Sequence, residues 1–306
     1  EEFKQLTGKE LTDYHLPMVM DVTFEHDGVI MRHIGKVLDC WFESGSMPYA
    51  QNHYPFENQQ QFEHYFPADF IAEGIDQTRA WFYTLTVLST ALFRKPAFKN
   101  VVVNGIVLAE DGNKMSKRLR NYPDPELVIR QYGADAIRLY LLGSPAVKAE
   151  DLRFSEKGVE QVLRQVLIPF WNSFVFLSTY AKIYLFKPTQ GFVSKTLIDR
   201  WMISKLQQLI QDVTSGMEAY DLNRAVGHLS GFVEELTNWY IRRSRARFWA
   251  DEDTVDRKEA FETLYQVLLQ LSKIAAPFAP FLSDAIYREL KTENMPESVH
   301  LCDFPE

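Results

Sequence analysis

The sequence predicts an α/β unit followed by an all-α unit. Between residues 41 and 143, strand-like and helical stretches alternate, which is typical of a parallel sheet flanked by helices. Beyond about residue 150 the strand signal ends and long helical stretches follow one another. With 306 residues, the chain is long enough for about two domains. We therefore expect a short lead-in over 1–40, an α/β domain over 41–150 and a helical domain over 151–306.

The lead-in and the α/β part are assigned from short apolar runs bounded by turn residues. Short strands are expected at 18–20 and 29–31, with a turn at Asp27-Gly28. In the α/β part Asp124 is a candidate N-cap and Pro125 suits a first helical turn. The pattern predicts strands at 66–72 and 101–108 and helices at 76–93 and 124–142.

The helical part is divided by proline, aspartate and turn signals, such as Lys187-Pro188 and Pro277 to Pro280. Its predicted helices cover 156–184, 194–215, 221–249, 256–275 and 280–291.

Composition limits the kind of protein. The chain has 33 Lys and Arg against 41 Asp and Glu, a formal charge of -8, so any contact with nucleic acid must use a local basic patch. The two cysteines, Cys40 and Cys302, lie far apart with no metal-ligand spacing around them. We find no signal-peptide pattern and no apolar run of membrane-spanning length. We expect a soluble protein of a reduced, cytoplasmic compartment.

The most specific motif is a lysine loop that follows a predicted strand. Two lysines flank Met-Ser in a glycine-containing loop, which suits the binding of a polyphosphate as charge moves onto its oxygens. A solvated surface loop is the alternative. The sequence resembles the KMSKS signature of class I aminoacyl-tRNA synthetases, with Arg118 where serine often closes the signature. The loop residues are Lys114, Met115, Ser116 and Lys117.

Two further segments extend the resemblance. Residues 39–50, with Cys-Trp-Phe-Glu-Ser-Gly-Ser-Met-Pro, resemble the isoleucyl-tRNA synthetase family more than the valyl type, which carries a Thr-Trp-Phe-Ser-Ser-Gly arrangement. Residues 72–82 match the strand-to-helix turn of the same family. The wording after the lysine loop is similar to the eukaryotic cytosolic type. The resemblance implies the second half of a Rossmann-like catalytic domain followed by a truncated anticodon-binding helical bundle.

The resemblance also implies roles for particular residues. The lysines Lys114 and Lys117 are the expected catalytic groups, and Trp41 and Trp81 would wall the isoleucine side chain, although lone tryptophans are more often core. Asp76 could cap the following helix instead of contacting the ligand, or do both. The expected contacts of ATP and the adenylate are Glu73, Gly74, Asp76, Gln77, Lys114, Met115, Ser116 and Lys117.

The implied reaction is the ATP-dependent activation of isoleucine to its adenylate, followed by transfer of the acyl group to tRNA(Ile). It needs no covalent enzyme nucleophile, and Mg²⁺ would accompany the ATP. No metal-ligand cluster is expected. The His-Ile-Gly-His signature and the editing domain should lie upstream, so the chain is expected to be catalytically incomplete. Residues 31–36 (Met-Arg-His-Ile-Gly-Lys) look like that signature but are interpreted as noncatalytic.

An arginine stripe lies in the helical part, interleaved with aromatic residues. By resemblance to the anticodon-binding domain it is a candidate tRNA contact, whereas pairing with Glu234, Glu235, Asp251 and Glu252 is the structural alternative. The stripe consists of Arg242, Arg243, Arg245 and Arg247.

Two rival functions stay open at this point. One is a valyl-type branched-chain synthetase, and the other is a noncatalytic tRNA-binding module that retains the fold. We also expect a monomer without membrane contact, with membership of a multi-synthetase complex open for the parent protein.

Overall fold

The computed structural model describes residues 2–8, 10, 12–13, 15–116, 118–119, 121–189, 191–250 and 254–306. Contacts divide it into two compact units. The first contains the chain up to Ile71 together with Asp76–Val101, and the second contains Ala72–Ile75 with Val102–Glu306.

The first unit begins with the lead-in. The predicted strand at 29–31 is confirmed as β2 (Val29–Arg32), which pairs antiparallel with β1 (Thr23–His26) across the positive-φ turn at Asp27-Gly28. The predicted strand at 18–20 is wrong. Met18 and Val19 belong to a short helix, Leu16–Val19, because Pro17 occupies its first turn, where proline is favoured. The helices of the lead-in are α1 (Glu2–Thr7) and α2 (Leu16–Val19).

The rest of the first unit packs short helices on a longer one. Asp39 caps α3 by accepting the N–H groups of Trp41 and Phe42 at 2.9 and 3.1 Å. Gly45 lies against α6, where a Cβ atom would be 2.9 Å from Leu88 Cδ1. These helices are α3 (Cys40–Gly45), α4 (Met47–Ala50), α5 (Gln59–Tyr65) and α6 (Trp81–Phe93).

The predicted strand at 66–72 is present with shifted bounds as β3 (Ala68–Gly74). The predicted strand at 101–108 is instead two strands in different sheets, β4 (Phe98–Asn104), which is hydrogen-bonded to β3, and β5 (Val107–Leu108). The Ala68 N–H donates to Ala97 O, and Asn100 Nδ2 donates to Asp69 O. These contacts advance in the same direction along both strands, as in a parallel pair. Instead of one helix over 76–93, a 3₁₀ turn (Ile75–Arg79) precedes α6.

In the second unit, β5 (Val107–Leu108) pairs in parallel with β6 (Leu152–Arg153). Just before β5 the backbone approaches Glu150 so closely that a Cβ on Gly105 would lie 1.8 Å from Glu150 O. Only glycine can therefore occupy position 105 without moving the backbone.

The predicted helix over 124–142 is two helices, α7 (Pro125–Tyr132) and α8 (Ala134–Leu142). Gly133, at φ +87°, separates them because no helix passes through that conformation. The capping expectation is confirmed: Asp124 accepts the N–H of Glu126 at 2.9 Å, and Pro125 lies in the first turn.

Long helices build the remainder of the second unit, close to the predicted ranges. Two of the predicted helices contain π-helical segments, Leu163–Leu167 and Glu235–Ile241. The helix Glu156–Ile183 is apolar and long enough to cross a membrane by those two criteria, but Val159, Phe170 and Leu177 on it are packed in the core. The helices are α9 (Glu156–Val162), α10 (Ile168–Ile183), α11 (Leu197–Glu218), α12 (Leu222–Glu234), α13 (Arg242–Phe248), α14 (Val255–Ala275) and α15 (Pro280–Leu290).

A buried polar network joins α11, α13 and α14. Arg247 on α13 donates to both carboxylate oxygens of Asp199 on α11, at 2.6 and 2.8 Å, and its Nε donates to Asp256 on α14 at 2.9 Å. The Tyr240 hydroxyl donates to Asp199 at 2.8 Å, and burial beside this carboxylate raises the pKa of Tyr240. Asp199 is fully buried, so Arg247 is its counter-charge.

A second buried carboxylate extends this network. Glu259 on α14 accepts hydrogen bonds from the hydroxyls of Thr196 and Ser194, at 2.5 and 2.9 Å. Ser194 Oγ also lies 2.8 Å from Asp199 Oδ2, so one hydroxyl connects the two carboxylates. The hydrogen bonds, that of the Thr196 side chain foremost, hold the pKa of Glu259 below its usual value.

Replacing Arg247 by methionine should destabilise the protein by about 3–5 kcal/mol, because it leaves the buried Asp199 carboxylate without its counter-charge. Urea denaturation followed by circular dichroism measures the change. Arg242→Met is the matched control on the same helix. It should change the free energy of unfolding by no more than about 0.5 kcal/mol, because Arg242 is exposed. Equal effects of the two substitutions would contradict the structural role of Arg247.

The lowered pKa of Glu259 predicts a pH dependence. The contribution of the Glu259 carboxylate to the free energy of unfolding is fully present above the pKa of a glutamate in the unfolded chain, about 4.3. It is lost as pH falls through the lower pKa of Glu259 in the folded state. Wild type should therefore exceed Glu259→Gln in free energy of unfolding at pH 7, and the difference should shrink below about pH 4. A difference that grows on acidification would refute the assignment.

Gly105→Ala should destabilise the protein by about 1–3 kcal/mol or more, since the added methyl group collides with backbone rather than with a flexible side chain. Gly227→Ala is the control: Gly227 lies within α12 with nothing within 4 Å of its Cβ position, so alanine should be neutral or stabilise by up to about 1 kcal/mol. Thermal unfolding of both variants distinguishes the two cases.

Candidate active site and nucleic-acid interface

The lysine loop begins as a tight hairpin in the second unit. Ala109 N–H donates to Asn113 O at 2.9 Å, and Leu108 and Lys114 form an antiparallel bridge. Gly112 forms the turn at φ +82°. A Cβ atom there would also lie 3.0 Å from Arg153 Nε, so both the backbone conformation and the adjacent guanidinium favour glycine. Hydrogen bonds from Asn113 hold the pKa of Asp111, beside this turn, below its usual value.

Asn121 fixes the part of the loop that carries the predicted catalytic lysine. Its Oδ1 accepts the N–H of Ser116 at 2.9 Å, and its Nδ2 donates to Lys114 O at 3.1 Å. The Lys114 side chain is exposed and has no ion pair within the part of the chain that the structure describes. Lys117 lies outside the described residues. The backbone is thus held while the Lys114 ammonium group stays available to a ligand.

Met115 lies on the inner side of the loop. It is half-buried and lines a cavity of about 540 Å³ together with Tyr122, Tyr132 and Phe154. Ser116 is also half-buried, and its Oγ lies 3.4 Å from Leu119 N.

Sequence reasoning missed two residues at this loop, Asn121 and Arg153. Asn121 carries a signal in hindsight, since an asparagine five residues beyond a serine in a loop can bond backbone groups on both sides. Arg153 carries no such signal, because it reaches Gly112 only through the pairing of β6 with β5.

The residues predicted to contact the adenylate follow one another along the chain. Glu73 is exposed and Gly74 half-buried at the carboxyl end of β3, in the second unit. In the first unit, Gln77 Oε1 accepts the N–H of Trp81 at 3.1 Å, and its Nε2 donates to Asp76 at 3.2 Å. Gln77, rather than Asp76, therefore accepts a backbone N–H group at the start of α6. The Asp76 carboxylate remains exposed.

The two tryptophans of the predicted amino-acid pocket both lie in the first unit. The Trp81 indole N–H donates to Ser44 O at 2.9 Å, which ties it to α3, the helix that carries Trp41. Trp81 lines a mainly apolar cavity of about 250 Å³. Trp41 is 43% exposed and is not among the residues that line this cavity. The remaining lining includes Met47, Phe62, Phe70, Ile71, Leu85 and Phe98.

The arginine stripe divides into two groups. Arg242, Arg243 and Arg245 are exposed, and none has a carboxylate partner among the described residues. Arg247 is only 13% exposed and is committed to Asp199 and Asp256. Glu235, which the structural alternative paired with this stripe, instead pairs with Lys205 at 2.8 Å. Asp251 and Glu252 lie outside the described residues.

A groove of about 780 Å³ lies beside this stripe in the second unit. Both π-helical segments contribute to its walls, through Arg164 and Gln165 on one side and Thr237 and Asn238 on the other. Arg245 also lines it. Arg164 pairs with Glu160 at 2.6 Å. The groove therefore offers amide, hydroxyl and guanidinium groups to a polar ligand, and π-helical turns are often found at functional sites.

No group of three or more histidine, cysteine or acidic side chains lies close enough to hold a metal ion within the described ranges.

Comparison with known families matches the chain in two parts. Residues 4–153 match the model of the class I tRNA synthetases for isoleucine, leucine, methionine and valine (I, L, M and V). Residues 199–306 match the anticodon-binding domain of tRNA ligases. The two matches follow the same order along the chain as the α/β part and the helical part.

Curated relatives match the whole chain. An isoleucine–tRNA ligase of Protochlamydia amoebophila is 63% identical over 306 residues, and one of Chlamydia trachomatis serovar L2 is 57% identical. In each case the match covers 100% of this chain and 30% of the relative, so the chain spans less than a third of their length. These relatives are bacterial and do not support the expected eukaryotic cytosolic type.

Solved structures share the fold at low sequence identity. The leucyl-tRNA synthetase of Agrobacterium radiobacter K84, in a ternary complex with tRNA and LeuAMS, has a TM-score of 0.73 at 19% identity, covering 94% of this chain and 35% of its own. The Mycobacterium tuberculosis methionyl-tRNA synthetase, in complex with methionyl-adenylate, has a TM-score of 0.67 at 18% identity, covering 83% and 50%. Family matches and fold agree, and the chain belongs to the class I tRNA synthetases, with part of the catalytic domain followed by the anticodon-binding domain.

Proposed function

We propose that this chain is part of an isoleucine–tRNA ligase, which activates isoleucine with ATP and transfers it to tRNA(Ile). The observation that carries the proposal is the Lys-Met-Ser-Lys loop, whose backbone Asn121 holds while Lys114 stays exposed. The amino acid is assigned from the relatives named isoleucine–tRNA ligase, which favour neither the valyl-type nor the noncatalytic alternative. The activity belongs to the whole protein, of which this chain is a portion.

In the proposed first step, the isoleucine carboxylate attacks the α-phosphate of ATP and pyrophosphate leaves. Lys114 and Lys117 place positive charge where negative charge grows on the phosphate oxygens, and this electrostatic stabilisation is their whole role. Met115 and Ser116, which lie between the two lysines, are proposed to hold the loop in place. Mg²⁺ would arrive bound to the ATP phosphates, the usual way in which this ion enters nucleotide sites.

The proposed adenylate contacts are Glu73, Gly74, Asp76 and Gln77. Exposed carboxylates at Glu73 and Asp76 suit the ammonium group and the ribose hydroxyls, and Gly74 lets a ligand approach the backbone. Trp41 and Trp81 are proposed to wall the isoleucine side chain. The apolar cavity supports this role for Trp81, which lines it, whereas Trp41 does not. We propose that the chain divides after residues 40 and 150 into a lead-in, a catalytic part and a tRNA-binding part.

The helical part is proposed to bind tRNA(Ile). The exposed guanidinium groups of Arg242, Arg243 and Arg245 can neutralise phosphates, and the groove beside them is lined by hydrogen-bonding side chains. Arg247 is left out of this interface because both edges of its guanidinium group are already used. A cytoplasmic location follows from this function. A monomeric state and membership of a multi-synthetase complex stay predictions.

Replacing Lys114 by alanine in the full-length protein should lower the rate of isoleucine-dependent exchange of pyrophosphate into ATP by about 10²–10³-fold, with a smaller change in the KM for isoleucine. Lys95→Ala, a change of an exposed lysine outside the loop, is the matched control and should leave the rate unaltered. Exchange supported by valine or leucine rather than isoleucine would overturn the assigned amino acid.

A further inference from the structure

Three segments of the chain lie side by side at the base of the lysine loop. Leu108 pairs in parallel with Arg153 on β6, and on its other side it forms the antiparallel bridge with Lys114. Residues that lie directly opposite each other in neighbouring strands point their side chains to the same face. Arg153 and Lys114 therefore share one face of this arrangement, with their Cα atoms two strand spacings apart, or about 10 Å.

The Arg153 side chain extends from β6 to the turn of the loop. A Cβ atom on Gly112 would lie 3.0 Å from Arg153 Nε and 3.2 Å from Arg153 Cζ, so the guanidinium group packs against this glycine. Gly112 precedes Lys114 by two residues. The pairing of β6 with β5 thus brings a second cationic side chain to the loop from a distant part of the sequence.

The backbone that carries the Arg153 side chain is held on two sides. On one side, the Phe154 N–H donates to Leu108 O at 2.9 Å as part of the strand pairing. On the other side, the Tyr140 hydroxyl on α8 donates to Arg153 O at 3.3 Å and accepts the N–H of Ser155 at 3.2 Å. A charge carried by a fixed backbone needs less reorganisation when a ligand arrives.

The charge of Arg153 is left unused by the rest of the described chain. Arg153 is exposed, and its side chain has no hydrogen bond or ion pair among the residues that the structure describes. The acidic side chain of the turn, Asp111, accepts the backbone and side-chain N–H groups of Asn113 instead, each at 2.9 Å. The N–H groups of the guanidinium are consequently available to an anionic ligand.

We infer that Arg153 is a further substrate-binding cation of the lysine loop, whose guanidinium group binds phosphate oxygens of ATP beside Lys114. This inference rests on the proposed function. A guanidinium group presents two parallel N–H groups that match two phosphate oxygens, a geometry that the ammonium group of a lysine does not offer. Negative charge grows on the leaving pyrophosphate, and a cation that is already in place stabilises it.

A phosphate of the tRNA would also be attracted to Arg153. ATP is the favoured ligand because Arg153 shares its face with Lys114, the group proposed to act on the ATP phosphates. The exchange of pyrophosphate into ATP distinguishes the two ligands, since the activation step that it measures takes place without acyl transfer to tRNA.

The test measures isoleucine-dependent exchange of pyrophosphate into ATP by the full-length protein, without tRNA. Arg153→Met removes the charge and keeps an apolar stem. It should lower the exchange rate by about 10–10²-fold and raise the KM for ATP and for pyrophosphate on the order of tenfold, with the KM for isoleucine unchanged. Arg153→Lys should give values between those of wild type and Arg153→Met, since it restores the charge without the paired N–H groups.

Arg130→Met is the matched control. Arg130 is an exposed arginine on α7 that pairs with Glu126 at 2.6 Å, so its replacement should leave all three KM values unchanged. The inference is overturned if Arg153→Met keeps the wild-type KM for ATP and pyrophosphate, or loses only the transfer of isoleucine to tRNA. A lower Tm together with a raised KM for isoleucine would indicate a structural role and would overturn it as well. If wild type itself catalyses no isoleucine-dependent exchange, the proposed function fails.

Discussion

The ion pair between Arg247 and the fully buried Asp199 is the constraint on which the helical part depends. It links α13 to α11, and through Asp256 it reaches α14, so three helices are held at one point. Two buried charges are tolerated only when paired and hydrogen-bonded, and Tyr240 and Ser194 supply the remaining donors. Arg243 and Arg245 on the same helix are exposed, although Arg243 lies only one helical turn before Arg247.

Much of the fold was predictable because local signals and tertiary packing agree. Asp124 and Pro125 mark the start of α7, and Pro277 to Pro280 mark the start of α15, where the structure has them. The misses have physical causes. Gly133 splits a predicted helix through its positive φ, and Pro17 starts a helical turn where apolar residues had suggested a strand. The π-helical segments were not predicted, because the sequence on both sides of each segment has the pattern of a helix and was read as one continuous helix.

The sequence allowed the motif residues of the candidate site to be named, but not the residues that contact them from distant parts of the chain. A local motif such as the lysine loop is contiguous in sequence, so its residues could be named from it. Long-range partners could not be named. Nothing local distinguishes Arg247, which the spacing groups with Arg243, from the arginines that stay exposed. Only the position of Asp199, 48 residues earlier, separates them. Likewise Arg153 reaches Gly112 through strand pairing, which no short pattern reports.

The two π-helical segments restrict the insertion and deletion of residues in the helices that contain them. Each residue of an α-helix turns the following ones by about 100°, so a segment with an additional residue sets the direction of everything after it. Removing one residue from Glu235–Ile241 would rotate Arg242–Phe248 by about that angle. Phe248 and Arg247 would then leave the core, and exposed arginines would enter it. Related chains can therefore exchange residue types along this helix more easily than they can gain or lose a residue within it.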